Sequence, residues 1–86
     1  MSSKRQRSDY LIASAAKTLQ VLKAVQTDDG RPIEFKKIVE RTRFDRNFVL
    51  RAVYTLETDG YIEHRGDNWW TFTPQFLSFA ASIRGV

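Results

Sequence analysis

Residues 44–70 read FDRNFVLRAVYTLETDGYIEHRGDNWW, and this stretch decides the fold. Val49, Ala52, Val53 and Leu56 stand at i, i+3, i+4 and i+7, the spacing of a helix that buries one face. At about 100° per residue, Asn47, Arg51, Tyr54 and Thr58 point the opposite way. Asp45 is a good cap for a helix over 46–58, since its carboxylate can accept from the unpaired N–H groups of the first turn. Gly60 stops that helix. Tyr61-Ile62-Glu63-His64 and Trp69-Trp70-Thr71-Phe72 then read as two strands joined by the turn Arg65-Gly66-Asp67-Asn68. Trp69 and Trp70 must face opposite ways, and Trp70 is expected inward.

Working outward, Ile12, Ala15, Ala16, Leu19, Leu22 and Val25 suggest a first helix over 11–27 with that stripe buried, stopped by Gly30. Arg31-Pro32-Ile33 is too short for an independent strand but can pair at the edge of the later hairpin. A second helix is expected over 34–42, burying Phe35, Ile38 and Val39, with Glu34 at the positive end of its dipole. Thr73-Pro74 starts a last helix, cap followed by proline at the first position. That helix carries Phe76, Leu77, Phe79, Ala80 and Ile83, which either close over the first helix or form a seam between two copies. Residues 1–10 are basic and aperiodic and are read as a disordered arm, leaving 11–84 as the folded domain.

The order helix, helix, helix, hairpin, helix describes a mainly α protein with a small β-hairpin wing: a winged helix-turn-helix with a three-helix core, a two-stranded wing and a C-terminal helix. Eighty-six residues make one domain, and 42% hydrophobic content suffices for its core. Without cysteine there are no disulfides or thiolate metal sites, and His64 is the sole histidine. No apolar run approaches the ~18 residues of a membrane span. No nucleophile motif or glycine-rich phosphate loop is present, so neither an enzyme nor a cofactor is expected.

The net charge of +4 is unevenly placed. Residues 31–51 hold seven basic side chains against three acids, an excess coinciding with the two central helices. That pattern points to a polyanion, and a helix presenting Arg and Asn beside a hairpin is how many small proteins read the DNA major groove. Arg51 and Asn47 are the expected base readers, for guanine and adenine respectively. Arg46, Lys36, Lys37 and Arg43 are expected on phosphate, with Arg41 a further candidate, and Arg65 on phosphate or in the minor groove. Phe48 and Leu50 are placed either against thymine methyls or in packing, and Tyr54 against a phosphate or the helix surface. The rival expectation, carried by Phe48, Leu50 and Trp69, is a winged-helix module that binds protein.

The chain also resembles a known family, the N-terminal DNA-binding domain of IclR-type transcriptional regulators. The resemblance runs through Ser14-Ala15-Ala16, Leu19 and Leu22, Ile38-Val39 with Arg41-Thr42, and Phe44-Asp45-Arg46-Asn47. It continues through Val49, Arg51, Thr55-Leu56-Glu57, Gly60-Tyr61-Ile62-Glu63 and Phe72-Thr73-Pro74. It implies a sequence-specific regulator that binds double-stranded DNA in the cytoplasm, on the nucleoid if prokaryotic. The expected homodimer seam is Phe76, Phe79 and Ile83 of the last helix. The family usually has glycine where this chain has Arg43, and small hydroxyl residues in place of Asn47 and Phe48. It also carries a ligand-sensing domain after the last helix, whereas this chain stops at Val86, so no small-molecule effector is expected.

Overall fold

The computed structural model describes residues 10–84. The basic arm expected at the N-terminus therefore lies, but for Tyr10, outside the described residues. The elements are α1 (Ala13–Ala24), β1 (Ile33–Glu34), α2 (Phe35–Thr42), α3 (Arg46–Thr58), β2 (Ile62–His64), β3 (Trp69–Phe72) and α4 (Pro74–Arg84). The three strands form one antiparallel sheet in the order β1-β3-β2, so the wing has a third strand. Ile33 lies opposite Trp70, and Ile62, Glu63 and His64 lie opposite Phe72, Thr71 and Trp70.

The core joins every element but α4: Val21 and Val25 of α1 and its exit, Ile33, Phe35 and Ile38 before and within α2, Val49, Ala52, Val53 and Leu56 of α3, and Ile62 and Trp70 of the sheet. The stripe read on α3 is thus the buried one. Asp45 caps that helix by accepting from the Phe48 N–H at 3.1 Å. Its far end closes as a Schellman motif: the Tyr61 N–H donates to the Leu56 carbonyl and the Gly60 N–H to that of Glu57, with Gly60 at φ 86°. Thr73 then starts α4 by accepting from the Phe76 N–H while its hydroxyl donates to the Gly60 carbonyl.

Two expectations are corrected at α1. The helix ends at Ala24, and Gly30 belongs to the turn beyond, at φ 75°. Its buried face is built on Val25, as the stripe requires, and on Val21, which lies outside that stripe. Ile12, Ala15, Ala16 and Leu19 are exposed and Leu22 is half-buried. Periodicity locates an apolar face, but α1 carries more apolar residues than α2 and α3 cover.

The last helix does not close over α1 either. Phe76 packs between Tyr61 and Phe72, with ring centroids at 5.5 and 5.2 Å. Leu77, Phe79 and Ile83 remain exposed, and Leu19 of α1 stays 57% exposed. No helix among the described residues is long and apolar enough to cross a membrane.

Candidate nucleic-acid interface

The surface of interest is the outer face of α3 with its neighbours on α2 and the sheet. Asn47, Arg51, Tyr54 and Thr58 all lie exposed on α3, as the helical spacing requires. Thr55 and Thr58 turn their hydroxyls back onto the Arg51 and Tyr54 carbonyls at 2.8 and 2.9 Å, which removes those protons from outside recognition. Neither the Asn47 amide nor the Arg51 guanidinium has a side-chain partner among the described residues. They are polar groups held on a rigid helix with their donors unused.

Tyr54 is 47% exposed, and its ring is engaged with the wing. It meets Trp70 edge to face at 5.9 Å and lies tilted against His64 at 6.1 Å. His64 stacks on Trp70 at 3.8 Å and its Nδ1 reaches Glu57 Oε2 at 2.9 Å. Tyr54 and Glu57 on α3 thus clasp His64 and Trp70 on the sheet, fixing the wing beside the helix. As expected, Trp70 faces inward and Trp69 outward, the latter 44% exposed.

Phe48 is half-buried against the core and meets Phe44 edge to face at 5.8 Å. Packing therefore accounts for its ring. Leu50 is exposed, on the flank of α3 away from Phe48. Arg46 holds its guanidinium 4.9 Å from the Phe35 ring, joining the start of α3 to the start of α2.

The cations of α2 divide into two groups. Lys36 and Arg43 are exposed with no acidic partner among the described residues, while Lys37 makes only an exposed contact to Glu40 at 3.6 Å. Arg41 turns instead to α1, where Nη1 donates to the carbonyls of Ala24 and Gln26. It satisfies orphan carbonyls at the end of that helix and is withdrawn as a phosphate candidate. Arg43 holds the turn between α2 and α3 at φ 60°, where glycine would be unstrained.

Arg65 stands exposed at the start of the wing turn, whose closure is the Arg65 N–H donating to the Trp69 carbonyl at 2.8 Å. Lys17 on α1 was not foreseen near this surface. Its ammonium lies over both Phe44 and Phe48, a placement set by tertiary packing that local spacing does not encode.

Three helices with a sheet wing clasped beside the third make this chain a winged helix-turn-helix, and solved structures share its fold. An IclR transcriptional regulator from Alicyclobacillus acidocaldarius superposes with a TM-score of 0.72 at 23% identity, over 86% of this chain and 30% of that one. An IclR-family regulator from Rhodococcus sp. gives 0.69 at 20% identity, over 95% and 32%. TubR bound to 24 bp of tubC, from Bacillus thuringiensis serovar israelensis, gives 0.63 at 15% identity and 98% coverage of both chains. This chain thus spans about a third of the length of the IclR regulators and nearly all of TubR. No protein-family model and no curated protein matches the sequence.

Proposed function

We propose that this chain is a sequence-specific double-stranded DNA-binding protein that acts in transcription regulation, inserting α3 into the major groove with the wing alongside. The observation that carries the reading is the outer face of α3. It presents Asn47 and Arg51 with unused donors, flanked by Lys36, Lys37, Arg43 and Arg46 with little acidic compensation. Arg51 and Asn47 suit guanine and adenine edges, and the surrounding cations suit phosphates, with Arg65 reaching the flanking backbone. Tyr54, clasped to the wing, has its hydroxyl edge left for a phosphate. Leu50 is the apolar side chain on this face suited to a thymine methyl. A cytoplasmic setting belongs to the same proposal.

The protein works as a homodimer in this reading. Leu77, Phe79 and Ile83 on α4 and Leu19 on α1 are apolar and exposed. Beside them a depression of about 420 Å³ has an apolar floor of Ala15, Leu19, Leu22, Leu56 and Tyr61 and a polar rim of Ser14, Thr18, Thr55 and Asp59. Two copies would each bury the other's excess apolar surface, and two linked modules gain affinity that one lacks. TubR, of nearly the same length, is bound to 24 bp, more than two turns at ~10.5 bp per turn.

Selection from random duplexes tests the proposal, with half-site spacing reporting the dimer. Binding through about five phosphates should weaken with salt at a log–log slope near −4 to −5. No duplex binding at about 50 mM salt would instead favour the protein-binding reading, which rests on exposed Leu50 and Trp69.

A further inference from the structure

Lys17 sits on α1, outside the elements assigned to the interface above. Its Nζ lies 4.8 Å from the centroid of Phe48 and 5.1 Å from that of Phe44. The two rings meet edge to face, so the ammonium rests on one aromatic platform. That platform holds a normally mobile side chain in place by cation–π attraction. Among the described residues no carboxylate pairs with Lys17, and the ring faces use only part of its three-donor head. Phe48 shares a helical turn with Asn47 and Arg51, which puts this restrained charge at the edge of the reading face.

Next to it α1 and α3 enclose a cleft of about 350 Å³ lined by Ser14, Thr18, Phe48, Arg51, Ala52 and Thr55. The Thr18 hydroxyl donates to the Ser14 carbonyl and the Thr55 hydroxyl to that of Arg51, so both protons are committed. The Ser14 hydroxyl remains as a donor, and Arg51 adds positive charge to the α3 wall of the cleft. No acid lines the cleft, and none occurs in the first turn of α1. Donors and positive charge without an acceptor of matching strength select an anion.

We propose that Lys17, with Ser14, binds a backbone phosphodiester of DNA at the mouth of this cleft, which adds α1 to the contact elements α3, α2 and the wing. The contact rests on the DNA-binding reading and sharpens it. A phosphate held from α1 fixes how α3 sits in the groove and leaves Arg51 for base edges.

The test compares wild type, Lys17→Gln and Lys17→Arg on a selected duplex and on a random-sequence duplex, with salt titrations and thermal unfolding of each protein. Lys17→Gln should weaken binding to both duplexes by the same several-fold factor, and its log–log salt slope should shrink by about 1. Lys17→Arg should retain affinity and slope. Ser14→Ala should produce a smaller, equally sequence-independent loss. A Gln variant that melts earlier but keeps wild-type affinity and slope makes Lys17 a packing residue and overturns the proposal. Wild-type protein that binds neither duplex overturns the DNA-binding reading itself, a result separable from loss in the variant alone.

Discussion

The hydroxyl of Thr73 donates to the carbonyl of Gly60 at 2.6 Å, tying the first residue before α4 to the glycine that ends α3. The same oxygen accepts from the Phe76 N–H at 3.1 Å, so one buried side chain serves two chain reversals. Thr73→Val keeps the shape and removes both bonds. Stability should fall by about 1–3 kcal/mol, the usual cost of leaving such buried groups unpaired. Urea unfolding with an unchanged midpoint would refute the double role.

Gly60 itself tests the conformational argument in isolation. At φ 86° a methyl group there would meet no atom within 4 Å, so Gly60→Ala pays only for left-handed backbone. The expected loss is about 1–2 kcal/mol. A much larger loss would mean that something other than backbone strain is at stake.

Arg43 is the inverse case. Held at φ 60° and fully on the surface, it spends backbone strain where glycine would not. Arg43→Gly should raise stability by about 1 kcal/mol. It should also lower DNA affinity and reduce the salt slope by about 1. Improved stability with unaltered DNA binding would remove Arg43 from the interface.

Arg41 and Arg51 should separate cleanly. Arg41→Ala strips the carbonyls at the end of α1 and should cost about 1 kcal/mol of stability with the salt slope unaltered. Arg51→Ala should leave stability nearly untouched while reducing discrimination at one base pair by about 1–3 kcal/mol. Equal losses on specific and random duplexes would reassign Arg51 to a phosphate.

The dimer is addressed on the exposed apolar faces. Leu19→Glu and Phe79→Glu lie on surface that the single chain does not bury, so thermal stability at low concentration should change little. Sedimentation should show monomers, and affinity for paired half-sites should drop toward that of a single one. Variants that remain dimeric would move the seam elsewhere.

These residues also show what could be read before folding. Val49, Ala52, Val53 and Leu56, the Asp45 cap, the Gly60 exit and the Thr73-Pro74 start are local signals, and each appears in the structure where its spacing puts it. The outward face of α3 followed from the same period. The face of α1 followed only at Val25 and, in part, Leu22, because Leu19 and Ile12 are as apolar as Val21, and only the positions of α2 and α3 decide which of them is covered. Arg41 looked like any other cation of α2, since the carbonyls it satisfies lie fifteen and seventeen residues away. Lys17 likewise reaches Phe44 and Phe48 only after the helices pack.

The third strand has a mechanical consequence. Glu34 of β1 pairs with Trp69 of β3, and the N–H of Phe35, first residue of α2, donates to the Asn68 carbonyl in the wing turn at 2.7 Å. The hairpin is therefore bolted at its tip to the start of one helix, and through Trp70 and His64 to the middle of another. It cannot swing to follow an irregular groove without dragging α2 along. In the proposed complex the compliance would have to come from the duplex, and groove width and bendability at base pairs the protein never touches would become part of what it selects.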